Sequence, residues 1–117
     1  MNLKEIENKI KKTKQELLNI EAMRSGSLSE QYNVCGVANC ICKDKKNPQR
    51  HGPYYQLSYR SGGRSSSKFI QGPFVKKMEK ETAQYRRFKI LVSEWIDLAN
   101  AKSDLQMKLE KEKKDKD

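Results

Sequence analysis

Four potential metal ligands constrain this sequence more than any other feature. All three cysteines and the only histidine of the 117-residue chain lie within seventeen residues, in the pattern Cys35-x4-Cys40-x-Cys42-x8-His51. Zinc binds four such ligands tetrahedrally, and three Cys with one His is a common closed structural set. Four protein ligands leave no position for a catalytic water. The pattern therefore predicts one structural Zn²⁺ bound by Cys35, Cys40, Cys42 and His51.

Two other interpretations of these residues stay open. A single residue separates Cys40 from Cys42, which departs from the usual CxxC spacing, so the residues also fit three ordinary buried or unpaired cysteines and a loop histidine. A catalytic Cys and His pair is the other, although Asp44 is the only nearby acid. Because the sequence has no Gly-rich phosphate loop, no paired carboxylates and no Ser, His and Asp arrangement, we expect a binding protein and no enzyme.

The rest of the chain offers little material for a broad core. Only 35% of its residues are apolar and 34% are charged, and a short polar chain usually needs a metal, a disulfide or a partner chain to stabilise it. No apolar run approaches the roughly 18 to 20 residues that span a bilayer, and the start MNLKEIENKIKKTK lacks the apolar stretch of a signal peptide. We therefore expect a cytoplasmic protein, in which thiols stay reduced and a disulfide framework is unfavourable.

Helical periodicity marks both ends of the chain. Apolar residues, with Thr13 filling one gap, recur every three or four positions from Leu3 to Ile20, which predicts an amphipathic helix over residues 2–24 within an N-terminal segment 1–25. Similar spacing predicts a longer helix over 74–112, followed by a charged tail at 113–117. The two helices should pair as an antiparallel hairpin or coiled coil. Because the second helix is longer, Trp95, Leu98 and Leu105 should remain uncovered and favour a homodimer.

The 48 residues between the helices are too many for a structureless loop. Residues 54–59 alternate in polarity, a Gly-rich turn follows, and residues 65–70 can return as a second strand. We expect a zinc module with a short β-hairpin over 26–73. The predicted fold is therefore mainly α, a helical hairpin with a zinc-stapled module and a β-hairpin at its tip.

The net charge of +10 is confined to the middle of the chain. Residues 43–89 hold 13 Lys and Arg against 3 acids, whereas the rest of the chain holds 12 against 12. A one-signed region suggests an anionic partner such as nucleic acid, although a generally lysine-rich composition would also produce it. The candidate phosphate contacts share this region and are Lys43, Lys45, Lys46, Arg50, Arg60, Arg64, Lys68, Lys76, Lys77, Arg86 and Arg87.

Three tyrosines of the predicted hairpin could stack on bases if they face solvent. Alternation places Tyr55 and Tyr59 on one face with Leu57, so packing is the expected role of these two residues. Tyr54 is then expected to point outward.

The stretch GSLSEQYNVCGVANCICKDKKNPQRHGPYYQLSYRSGGR, followed by a helix with QYRRF, resembles a family of short bacterial and archaeal proteins known as a domain of unknown function. The motifs of this family occur in order over roughly residues 24–98: SLSEQY, C, C-x-C, HGPY and a YRRF-like helix. The resemblance implies that Cys35, Cys40, Cys42 and His51 belong together as a unit. It implies no activity.

Together these features predict a zinc-stabilised protein that binds nucleic acid, DNA more than RNA, through phosphate contacts of its basic tip. An alternative is a protein-binding adaptor or inhibitor, encoded by a phage or mobile element, that acts on a nucleic-acid enzyme. Both functions would use the same charge. Binding to nucleic acid in the absence of a protein partner would distinguish the two functions.

Overall fold

The computed structural model describes residues 1–116, and its chain divides into two compact units. The helical unit contains Met1–Ala22 and the chain from Gln84 onward, and the sheet unit contains Met23–Ala83. Helix α1 spans Leu3–Leu18 and helix α2 spans Val75–Lys116. The strands are β1 (Ser27–Asn33), β2 (His51–Ser61) and β3 (Arg64–Ile70). No helix of the described chain is both long enough and apolar enough to cross a membrane.

The helical unit is an antiparallel pairing of α1 with the later turns of α2. Glu7 forms a 3.5 Å salt bridge with Lys102, and the ammonium of Lys14 lies 5.0 Å from the centre of the Trp95 ring. The buried side chains of this unit follow the predicted seam and are Ile6, Ile10, Thr13 and Leu91. Trp95, Leu98 and Leu105, which were expected to stay uncovered, are half-buried.

Both helix boundaries differ from the predicted ones. Helix α1 ends at Leu18, not at residue 24. Asn19 caps it by donating its N–H to the Glu16 carbonyl at 3.1 Å, and the Ile20 N–H donates to the Leu17 carbonyl at 3.2 Å. The N–H of Glu21 then bonds to the Gln84 side chain at 3.0 Å, so this segment is held outside the helix. Helix α2 continues through residues 113–116 of the predicted tail, because three of these four residues are Lys, a strong helix former. Residue 117 of that tail lies outside the described residues.

The sheet unit is built on an antiparallel three-stranded sheet in the order β1-β2-β3. Strands β2 and β3 form the predicted hairpin, with Ser61 opposite Arg64 across Gly62 and Gly63. These two glycines have φ of 57° and 80°, the left-handed values that a two-residue hairpin turn requires. Strand β1 pairs along the other edge of β2, with Leu28 opposite Leu57.

The predicted fold class is wrong. The protein has two helices and a three-stranded antiparallel sheet, and it is no helical hairpin with only a short β-hairpin at its tip. The missed strand is β1, whose sequence SLSEQYN contains too few apolar residues to show an alternating pattern. An edge strand can be this polar because its pairing rests on backbone hydrogen bonds to β2.

The two faces of the sheet differ in burial. We call the face that carries Leu57 the inner face: Leu57 is fully buried, and Tyr55 and Tyr59 beside it are half-buried, as the alternation predicted. We call the opposite face, which carries Tyr54, Gln56, Ser58 and Arg60, the outer face. Cys42, Val75 and Thr82 are the other buried side chains of this unit. Few side chains therefore form its apolar core.

Candidate metal centre

Cys35, Cys40, Cys42 and His51 come together in the sheet unit. Their ligand atoms, three Sγ and one imidazole nitrogen, all lie within 4.8 Å of one another. The predicted ligand set is therefore confirmed as a group close enough to hold one metal ion. Among the described residues, it is the only group of three or more His, Cys, Asp or Glu side chains that could hold a metal ion.

Three short elements bring these residues together. Cys35 follows β1 by two residues, and His51 is the first residue of β2, where it pairs with Asn33. Cys40 and Cys42 belong to a 3-10 turn at Ile41–Lys43, which Cys40 caps. Within this turn the Lys43 N–H bonds to the Cys40 carbonyl at 2.9 Å. The tight turn explains how two ligands separated by one residue reach the same point.

The interatomic distances fit a metal and exclude a disulfide. The Cys35 and Cys42 sulfurs lie 3.6 Å apart, and Cys40 Sγ lies 3.1 Å from His51 Nε2. In a regular zinc tetrahedron, bonds of about 2.3 Å to sulfur and about 2.0 Å to nitrogen give ligand separations of about 3.8 Å and about 3.5 Å. A disulfide would need its two sulfurs about 2.05 Å apart. The donor set and its spacing both suit Zn²⁺.

The environment of the thiols differs across the cluster. Cys42 is only 2% exposed, and burial raises the pKa of its thiol. The backbone N–H of Cys42 and hydrogen bonds with the Cys35 and Cys42 thiols lower the pKa of Cys40 to about 6. The Cys35 N–H also donates to Cys42 Sγ at 3.4 Å. Such N–H groups directed at sulfur stabilise the thiolate form that binds metal.

The contact between Cys40 and His51 is also what a catalytic pair would show. A catalytic imidazole needs a third group to orient it, and Asp44 was the only candidate in the sequence. Asp44 Oδ1 instead accepts the backbone N–H of Lys46 at 3.0 Å, where it supports the turn. Two further thiols share the space around the pair. The arrangement favours metal ligation.

Gly52 holds the start of β2 against β1. Its φ is +142°, and a Cβ at this position would lie 2.8 Å from the Gln31 carbonyl oxygen and 3.0 Å from the Tyr32 ring. Only glycine accepts both this backbone conformation and this close approach. The approach fixes the neighbouring residue His51 at the cluster.

A concavity of about 510 Å³ opens beside the cluster, lined by Asn33, Val34, Cys35, His51, Tyr54 and Phe69. Tyr54 is 43% exposed, which agrees with its predicted outward position. Phe69 is 67% exposed and was not identified from the sequence. The register could have identified it, because Phe69 lies opposite Gln56 and therefore on the outer face.

The eleven basic residues predicted to contact phosphate are all exposed. Nine belong to the sheet unit, whereas Arg86 and Arg87 belong to the helical unit. We call residues 34–50, which join β1 to β2 and contain the three cysteines, the ligand loop. The nine fall into three groups: Lys43, Lys45, Lys46 and Arg50 on the ligand loop, Arg60, Arg64 and Lys68 on the hairpin, and Lys76 and Lys77 on the first turn of α2. Among the described residues, Lys77 alone of the eleven forms a salt bridge, with Glu81 at 3.8 Å.

The hairpin does not gather its three basic residues on one face. Arg60 pairs with Ser65 and lies on the outer face, where its guanidinium donates to the Gly63 carbonyl at 3.2 Å. Arg64 pairs with Ser61 and Lys68 with Leu57, so both lie on the inner-face side. The proposed phosphate contacts of the hairpin are therefore divided between its two faces.

A family model described as Domain of unknown function (DUF6788) matches residues 3–80, a range that includes all four ligand residues. No curated protein and no solved structure matches the chain.

Proposed function

The chain belongs to the family Domain of unknown function (DUF6788), and we propose that it is a zinc-stabilised protein that binds nucleic acid through the exposed basic residues of its sheet unit. The zinc would have a structural role. The protein would recognise phosphates and would read sequence weakly.

The donor set supports the zinc assignment. Three thiolates and one imidazole are soft and borderline ligands of the kind that zinc prefers over magnesium or calcium. Four protein ligands would complete a tetrahedral shell, so the ion would lack an open position for a catalytic water. When bound, it would join β1, the 3-10 turn and β2 at one point. A sheet unit with so few buried side chains needs such a link.

The charge of the sheet unit is the observation that carries the nucleic-acid proposal. Residues 23–83 contain eleven Lys and Arg against four Asp and Glu. A solvated surface with no ligand usually mixes both signs, whereas a one-signed surface attracts a polyanion. Arginine, lysine and the hydroxyls of neighbouring serines are the groups that bind phosphate oxygens.

A salt titration tests this proposal. Fluorescence anisotropy with a labelled oligonucleotide should give an affinity that falls steeply as salt rises, because each phosphate contact releases a counterion. Arg50→Ala combined with Arg60→Ala should reduce the slope of log affinity against log salt by about 1.4 to 1.8, the sum for two contacts. Lys9→Ala with Lys12→Ala is the matched control, since it removes the same charge from exposed positions of the helical unit. The control should leave the slope nearly unchanged.

Two results would contradict the proposal. Equal slope changes in both double variants would mean that net charge alone sets the binding. Wild-type protein that binds neither duplex nor single strand at low salt would eliminate direct nucleic-acid binding. The adaptor that acts on a nucleic-acid enzyme would then be the function to test.

A further inference from the structure

Two aromatic side chains lie exposed on the outer face of the sheet, beside the candidate metal centre. Tyr54 on β2 is 43% exposed and Phe69 on β3 is 67% exposed. Phe69 lies opposite Gln56, two residues along β2 from Tyr54, so the two rings are diagonal neighbours on one face. Both rings line the 510 Å³ concavity together with Cys35 and His51. The pair therefore forms an open aromatic surface on a backbone held by the sheet.

The strand positions around these rings are polar, and those of the outer face carry no acidic side chain. The other paired positions of the outer face hold serine and glutamine side chains and Arg60. The three strands contain one acid, Glu30, which pairs with Tyr55 and so belongs to the inner-face side. Arg50 directly precedes His51 at the edge of the concavity. Along β2, Tyr54 and Arg60 are separated by about 20 Å at a rise of about 3.3 Å per residue.

This combination suits one kind of ligand. Exposed rings on a sheet can stack on flat bases, while guanidinium groups at either side bind the connecting phosphates. In a duplex the bases stack on one another, so their flat faces are inaccessible to such rings. A wholly apolar partner would leave the flanking arginines unpaired. The absence of acids on this face also removes repulsion against a polyanion.

We propose that the outer face binds single-stranded nucleic acid, with bases stacked on Tyr54 and Phe69 and phosphates bound by Arg50 and Arg60. This inference rests on the proposed nucleic-acid function and specifies the form of its ligand. Stacking accepts any base, so binding would be nearly independent of sequence.

Phe69→Leu tests the stacking directly, because leucine keeps an apolar side chain and removes the ring. Phe74→Leu is the matched control: Phe74 is an exposed phenylalanine of the same unit, 54% exposed, and lies outside the concavity. Both variants should contain as much zinc as the wild type, since neither residue is a ligand. Anisotropy is then measured with an oligo(dT) of about 12 nucleotides, an oligo(rU) of equal length and a duplex of equal length, a length within known site sizes.

We expect Phe69→Leu to weaken single-strand binding by about 5-fold to 150-fold, the effect of losing one stacked base. Its salt slope should match that of the wild type, since no phosphate contact is lost, and Phe74→Leu should bind like the wild type. If Phe69→Leu weakens binding to oligo(dT) or to oligo(rU), the inference is supported. The oligonucleotide that the wild type binds more tightly identifies the preferred sugar. Duplex bound as tightly as single strand, with no effect of Phe69→Leu, would overturn the inference and leave the proposed function standing. Failure of all three probes to bind at low salt would overturn both.

Discussion

Removal of the metal should unfold the sheet unit selectively. All four ligands lie in Met23–Ala83, and none lies in the helical unit. Two fully apolar side chains of the sheet unit, Leu57 and Val75, are buried, and each contributes about 1.5 to 3 kcal/mol. A structural zinc in a small domain contributes about 10 to 16 kcal/mol at neutral pH. The metal is thus the larger of these two stabilising contributions, and the sheet should not persist without it.

The helices should respond much less. Helix α1 has 16 residues and α2 has 42, and only the nine from Val75 to Ala83 belong to the sheet unit. Circular dichroism should therefore retain most of its helical signal after chelation. In NMR spectra of the same sample, the backbone amide signals of β2 should lose their chemical-shift dispersion and their protection from hydrogen exchange. Re-addition of zinc should restore both.

His51→Ala should reproduce the effect of chelation, because it removes one of four ligands. Gln49→Ala is the matched control, since Gln49 is an exposed neighbour whose known bond, from its N–H to the Ile41 carbonyl, is made by the backbone. The reasoning is refuted if chelated protein, shown by elemental analysis to be free of metal, keeps the β2 amides as protected as before.

Three further results are expected. Gly52→Ala should lower the free energy of unfolding by about 1 to 3 kcal/mol in a denaturant titration, because alanine is strained at φ +142° and its Cβ would meet the Gln31 carbonyl; an unchanged midpoint would mean that β1 and β2 separate freely here. Zinc occupancy at a fixed zinc concentration should fall as the pH is lowered from about 7 to about 5, because protons compete for thiolates and imidazole; mass spectrometry that finds constant occupancy would contradict thiolate ligation. The predicted homodimer should appear in analytical ultracentrifugation as a mass that rises with concentration, and Ile96→Glu with Met107→Glu should abolish the rise, since both exposed side chains lie on α2. A constant monomer mass would remove the dimer from the account.

The candidate metal centre could be predicted from the sequence because its ligands are distinctive residue types that lie within a short stretch of the chain. Cys35, Cys40, Cys42 and His51 are the only residues of their types and lie close together in the chain. The turn at Gly62 and Gly63 was predictable for a similar reason, since a two-residue glycine turn between strands has few alternatives.

Strand β1 was not predictable in this way, because its pairing partner lies beyond the whole ligand loop. Ser29 pairs with Gln56, and neither residue carries a hydrophobic signal. Its stability depends on backbone hydrogen bonds and on long-range contacts that a single-sequence pattern does not contain. The end of α1 at Leu18 was missed because Ile20 continues the apolar spacing beyond the actual cap at Asn19.

The division of the hairpin's basic residues between two faces could have been predicted from the sequence. Once the turn is placed at Gly62 and Gly63, Ser61 must face Arg64 and Arg60 must face Ser65. Side chains alternate between faces, so Arg60 cannot share a face with Arg64. The net charge of the hairpin, taken without this register, predicts one basic cluster, whereas its three basic residues lie on two opposite faces.

X-ray absorption at the zinc edge of the purified protein tests the central claim most directly. The account predicts one zinc per chain, with three sulfur neighbours at about 2.3 Å and one nitrogen neighbour at about 2.0 to 2.1 Å. His51→Ala should replace the nitrogen signal with that of water or reduce the zinc content. A folded protein that contains no zinc, or a zinc ion surrounded only by oxygen and nitrogen, would contradict the account.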